Sequence, residues 1–279
     1  MAIRTVLHVV DSASERHQIS DDILQLAETE GWHLAVLVIG ISPPPPVYTY
    51  GATPQDFWLA DVQNVQNRTE TAVGAVEKQL QNWGLSADVS AQVCDRQRID
   101  AVVGSRAQFA DLTLVPSSLD TDPALRSRIA YGGLFNSGKP ILLLPSDVPS
   151  ALSSQRIMLA WDSGMPATRA VGHALDLLKS AKIVQLVCID PGTSAEADGP
   201  EPGADLATYL VRHGVNVEIF QVASGEQPIP QVLERHARDQ GIDLLVMGAF
   251  GRSRLRQIVF GGTTSAIVEN PVLPVLMAH

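Results

Sequence analysis

One stretch of the chain concentrates residues able to hold an anion: Gly248-Ala-Phe-Gly251-Arg-Ser-Arg-Leu-Arg-Gln-Ile-Val-Phe-Gly261-Gly262-Thr263-Thr264. Glycine lets a backbone turn tightly and expose its N–H groups. The stretch follows an apolar run and feeds a helical pattern around Ser265–Val268. The first turn of a helix carries unpaired N–H donors and the positive end of the dipole, which together favour phosphate. Arg252, Arg254 and Arg256 add positive charge, and Thr263 and Thr264 add hydroxyls. The residue types also allow a plainer reading, in which the glycines only shape a turn and the arginines form a solvated face. Either threonine could equally be the helix N-cap.

A second candidate is Asp162, which with Ser163 and Gly164 stops the apolar run Arg156–Trp161. Asp11 stops Thr5–Val10 in the same way. Aspartate readily bonds its own backbone in turns, so both can be turn residues. In an open α/β sheet, however, ligands sit outside the carboxyl ends of the strands, which is where Asp162 and the loop after Met247 would fall.

Other chemistries find no support. The seven histidines form no metal-ligand spacing with one another or with cysteine. His236 lies on an apolar helical stripe and reads as a packed core histidine. Cys94 and Cys188 are far apart and read as inert buried thiols. There is no G-x-S-x-G elbow, no P-loop with its lysine, and no G-x-G-x-x-G after the first strand of either half.

The elements that must position these residues alternate regularly. Strand patterns at 5–10, 33–41, 87–93, 112–115 and 141–144 enclose helical patterns at about 19–27, 56–83, 99–103 and 124–136. Prolines 43–46 break the second connection. Polar residues 146–154 read as a linker. The order then restarts, with strands at 156–161, 183–189, 215–220, 244–247 and 272–276. Helical stripes run through Ala167–Leu178, Leu206–Val211 and Ile229–Ala237, and residues 190–203 form a loop rich in Gly, Pro and acid. The halves repeat: Asp111-Leu-Thr-Leu-Val matches Asp243-Leu-Leu-Val-Met, and Pro140-Ile-Leu-Leu-Leu matches Pro271-Val-Leu-Pro-Val. Alternating strands and helices with right-handed crossovers predict two tandem doubly wound α/β domains with parallel sheets, at 1–148 and 152–279.

Bulk composition agrees. A chain of 279 residues suits two domains, and 45% hydrophobic residues supply two cores. The formal net charge of −10 argues against nucleic acid and anionic membranes as partners. No apolar run approaches the ~20 residues that span a bilayer, and the first residues enter a strand pattern without a signal-peptide h-region. The cytoplasm is the expected compartment.

The spacing Gly248-x2-Gly251-x9-Gly261 after an apolar strand resembles the nucleotide signature of the universal stress protein family. That signature continues with Ser or Thr. Here Gly262 intervenes, and Gly262-Thr263 restores the pair with ten residues between. With the Asp162 turn, the closing strand and the repeat, the whole chain resembles a tandem two-domain member. The resemblance implies Rossmann-like domains of the adenine nucleotide alpha hydrolase type. It implies a stress-response protein with an ATP site in the second domain, and Mg²⁺ only together with ATP. By position, Asp162 would lie near the adenosine, Ile189 would touch the base, Gly248, Gly251 and Gly261 would border the phosphates, and Thr263 would supply the hydroxyl. Arg252, Gly262 and Thr264 complete the candidate site. No catalytic or metal residue is implied, and any ATP hydrolysis would be slow. The alternative is an interaction module with a vestigial pocket. The first half has Pro116, Asp120 and Asp122 where the loop would be, and is expected to bind no nucleotide there. The resemblance also implies that 141–144 and 272–276 pair as an internal pseudo-dimer, which could assemble further as a homo-oligomer.

Overall fold

The structure, a computed structural model, describes residues 3–14, 18–45, 55–116, 119, 122–145, 155–191, 201–250 and 262–279. Within them the chain forms two compact units, Ile3–Ser137 and Gly138–His279.

The first unit contains β1 (Thr5–Asp11), α1 (Asp21–Glu30), β2 (His33–Ser42), α2 (Gln55–Trp83), β3 (Ala87–Asp95), α3 (Ile99–Ala107), β4 (Leu112–Val115) and α4 (Pro123–Asn136). Its strands run in the order β3-β2-β1-β4, all parallel. The apolar runs predicted as strands are buried: Val6, Leu34, Leu37, Leu112 and Leu114 are all sealed from solvent. Burial on both faces of a parallel sheet explains why these strands read as continuous hydrophobic runs rather than alternating ones. Gly31 ends α1 in the left-handed conformation at φ 65°, which a Cβ would oppose. Helices α3 and α4 cross so closely that a Cβ on Gly132 would stand 2.6 Å from the carbonyl oxygen of Asp100.

The second unit contains β5 (Ile141–Leu143), β6 (Arg156–Ala160), α5 (Met165–Ser180), β7 (Ile183–Ile189), α6 (Ala204–Arg212), β8 (Val217–Val222), α7 (Ile229–Gln240), β9 (Leu244–Gly248), α8 (Gly262–Glu269) and β10 (Val275–Ala278). The strand order is β5-β10-β9-β6-β7-β8. Only β5 runs antiparallel to its neighbour, with Leu143 opposite Val275 and Ile141 opposite Met277. The other pairs are parallel. So β5, reached in sequence before the polar stretch at 146–154, lies in the sheet of the second unit.

The repeat has a concrete counterpart. Asp111 Oδ2 accepts the backbone N–H groups of Arg4 and Thr5 at 3.0 and 3.1 Å. Asp243 Oδ2 accepts those of Gln155 and Arg156, both at 2.9 Å. In each unit one carboxylate just ahead of a strand, β4 or β9, fastens the start of its neighbour, β1 or β6.

Several elements differ from the sequence pattern. Ile19 is buried ahead of α1 rather than on it, because Gln79 of α2 takes its backbone N–H and donates to its carbonyl. Strand β8 starts at Val217 rather than 215. Val215 is bonded to Leu210 in the turn after α6. Val211 lies on the apolar stripe but is 60% exposed. The last strand starts at Val275, not 272. Pro274 has no N–H to give a ladder, and Val272 is half exposed. The linker at 146–154, the tip of the proline run from Pro46, and most of 190–203 lie outside the described residues. Among the described residues, no helix is long and apolar enough to cross a membrane.

Candidate functional site

In the second unit the winding reverses between β6 and β9, the neighbours from which the chain proceeds in opposite directions. A cavity of about 440 Å³ opens at the carboxyl ends of these strands. That is the place a doubly wound sheet offers a ligand. Its apolar wall is made by Val187, Ile189, Ile229, Leu233 and Met247, and its rim by Trp161, Asp162, Asp190, Phe250 and the first turn of α8.

Asp162 stands just past β6. Its Oδ1 accepts the N–H of Gly164 at 2.9 Å, the turn geometry open to any aspartate there. Ser163 takes φ 59°, and a Cβ on Gly164 would come within 2.8 Å of the same oxygen. Glycine is therefore what lets the carboxylate fold back while its side chain still faces the cavity. Ile189 ends β7 and lines the cavity. Gly248 ends β9, where a Cβ would meet the backbone of Pro166 and Ala167 at the start of α5. Gly262 is the first residue of α8, with open space around a would-be Cβ. Thr263 and Thr264 follow it at the cavity edge. Thus Asp162, Ile189, Gly248, Gly262, Thr263 and Thr264 share one cavity. Gly251, Arg252 and Gly261, with Arg254 and Arg256, lie outside the described residues.

The two threonines differ. Thr263 is partly exposed, whereas Thr264 is 4% exposed and its Oγ1 accepts the N–H of Phe250 at 3.1 Å. Thr264 therefore braces the start of the Gly-rich stretch.

Sequence reasoning passed over Asp190, Trp161 and Phe250. Asp190 sits one residue beyond β7 at φ 45°, and its Oδ1 accepts the N–H of Ser224 at 2.9 Å. Hydrogen bonds from Ser224 hold its carboxyl below the usual carboxylate range. Phe250 takes φ 59°, a conformation that costs a bulky residue roughly 1–3 kcal/mol and persists only where its surroundings fix it. Its place inside a glycine-rich run was the available signal. Among the described lining residues there are two carboxylates, Asp162 and Asp190, and no Lys, Arg or His. His236 lies apart, bonded through Nε2 to Gln185 Oε1 at 2.8 Å and edge-on to Phe220. Burial lowers its pKa.

In the first unit, side chains of α2 press closely on β2 near its carboxyl end. A Cβ on Gly40 would collide with Thr69 Oγ1 and stand 2.9 Å from Val65 Cγ1, both on α2. Thr69 donates to Ser12 Oγ at 3.2 Å and to the carbonyl of Val65. Asp11 accepts the N–H of Ala13 at 2.8 Å. Asp122, which caps α4 through the N–H of Leu125, is paired with Arg96 at 2.8 Å.

The second unit is thus a doubly wound α/β domain of Rossmann-like build with a cavity at its switch point. Residues 153–279 match the family described as universal stress protein family. That match spans somewhat less than half of the chain. Universal stress protein Slr1230 of Synechocystis sp. is 44% identical over 80 residues, a stretch that is 28% of this chain and 27% of that protein. The chain thus aligns with about a quarter of the curated relative it matches. Among solved structures, a universal stress protein from Archaeoglobus fulgidus covers 98% of this chain and 97% of its own, with TM-score 0.67 and 15% identity. A putative universal stress protein from Pseudomonas aeruginosa covers 99% and 93%, with TM-score 0.58 and 16% identity. At such identities the likeness is one of fold, and it extends over both units.

Proposed function

We propose that the second unit binds an adenine nucleotide and that the protein acts as a ligand-binding stress-response protein. The observation that carries this is the single cavity shared by Asp162, Ile189 and the first turn of α8. The apolar wall of Val187, Ile189 and Leu233 suits a base. Asp162 accepts from hydroxyls. The N–H groups of Gly262 and Thr263 at the helix start suit phosphate. Mg²⁺ would enter only with the nucleotide.

The test is ATP titration by calorimetry, with Mg²⁺, on protein stripped of ligand, beside Gly262→Asp. That substitution has room for its Cβ and suits a helix start, so the fold should hold while its carboxylate repels phosphate. One micromolar site in the wild type, weakened at least tenfold in the variant, is expected. No binding at millimolar ATP, or equal binding by both, would overturn the proposal.

A second reading has its own support: the described lining holds two carboxylates and no cation. Such a rim suits a neutral or cationic ligand, or a site that no longer takes phosphate in an interaction module. Failure of ATP to bind would favour it.

A further inference from the structure

The peptide group joining Ala249 to Phe250 has both of its polar atoms held by side chains from elsewhere. Its N–H donates to Thr264 Oγ1 at 3.1 Å. Its carbonyl oxygen lies 3.0 Å from His279 Nδ1. A carbonyl can only accept, so Nδ1 carries the hydrogen of this bond. That holds for the neutral and the protonated ring alike. The Ala249 N–H is also taken, by the carbonyl of Ala278 at 2.8 Å. Ala249 is wholly buried, so no water can replace a lost partner at little cost. The His279 ring meets the Phe250 ring edge-on, with centroids 6.5 Å apart and planes at 75°.

We infer that His279 is a positioning residue of the ligand cavity, acting with Thr264 to clamp the 249–250 peptide plane. The inference rests on the cavity being the ligand site proposed above. Rotation of a peptide plane changes the φ of the residue that follows it. The clamp therefore holds Phe250 at φ 59°, where a phenylalanine does not settle unaided. Phe250 is part of the cavity rim. With the carbonyl released, the plane can turn over, Phe250 can return to negative φ, and the cavity loses that part of its shape. The residue is silent in the sequence pattern, because nothing about a histidine after a strand points to a loop that precedes it by about thirty positions.

Two substitutions separate the hydrogen bond from the ring contact. His279→Asn keeps a donor near the place of Nδ1 and removes the ring. His279→Phe keeps a ring and removes the donor. Hydrogen exchange at the Phe250 amide, without ligand, reads the clamp directly. It should quicken at least tenfold in His279→Phe and stay near wild type in His279→Asn. ATP affinity should fall about tenfold in His279→Phe and remain within threefold in His279→Asn. Unchanged exchange in His279→Phe overturns the clamp whatever ATP does. Quickened exchange with unchanged ATP affinity in His279→Phe overturns the positioning role. If the wild type binds no ATP, the nucleotide reading fails, and the positioning role fails with it for that ligand. The exchange result then decides the clamp alone.

Discussion

A Cβ placed on Gly248 would stand 2.6 Å from the carbonyl carbon of Pro166. The last residue of β9 and the first turn of α5 are in contact through backbone alone. Backbone cannot swing aside as a side chain can. Gly248→Ala is therefore expected to lower the stability of the second unit by about 3 kcal/mol. Gly262→Ala, with nothing within 4 Å of its Cβ, should change it by less than about 1 kcal/mol. Denaturant midpoints of the two variants check the contrast. Equal losses would show that the glycines near the cavity share a general intolerance rather than a specific close approach.

Thr264 is expected to matter for folding as well as for any ligand. Thr264→Val keeps the shape of a buried side chain but leaves the Phe250 N–H without its acceptor. A cost of about 1–3 kcal/mol follows. Thr264→Ser retains the oxygen and should recover most of it. Chemical denaturation of both variants decides the matter, and a Val variant as stable as the Ser variant would refute the brace.

His8 gives the first unit an acid-sensitive point. It is 2% exposed in β1, and its Nδ1 has no partner among the described residues. Burial pushes its pKa from 6.5 down to about 4. The unfolded chain therefore takes up the proton more readily than the folded one. The stability this neutral ring supports is complete above pH 6.5 and is lost as the pH falls toward 4. Between pH 7 and pH 5 the loss should be about 2 kcal/mol. His8→Leu should remove that dependence. Urea midpoints at the two pH values test it, and an equally steep fall in the variant would assign the acid sensitivity to other groups.

Asp190 faces the cavity at φ 45°, with one carboxylate oxygen tied to Ser224. Asparagine tolerates that backbone and can keep the bond. Asp190→Asn should then raise ATP affinity a few-fold at low ionic strength, with the gain shrinking as salt is added. Calorimetry at two salt concentrations reads this. A loss of affinity would mean that the carboxylate contacts the ligand directly.

The framework was readable because burial on both sheet faces writes strands as apolar runs, and α2, α5 and α7 as stripes between them. Asp162 was readable because an aspartate that stops a strand is local chemistry. What escaped notice was set by contacts distant in sequence. Ile19 looks helical until Gln79 takes both its backbone groups. Thr264 looks like a ligand residue alone, and only the fold shows that its oxygen also holds the Phe250 N–H. Asp190 looks like any loop acid until Ser224 and the cavity give it a place. Pro274 was visible, but its effect, delaying β10 by three residues, depends on which neighbour needs its missing N–H.

The pairing of β5 with β10 has a consequence for the order of synthesis. Ile141–Leu143 emerges from the ribosome while almost all of its own sheet is still untranslated. The edge that β10 will cover is three buried apolar residues, the kind of strand edge that recruits stray partners. It must wait through four further strands of its sheet for its antiparallel mate. Nascent chains halted before Val275 should therefore lean on holding chaperones more than chains halted at Ser137. Equal chaperone capture of the two would show that this early strand is sheltered in some other way.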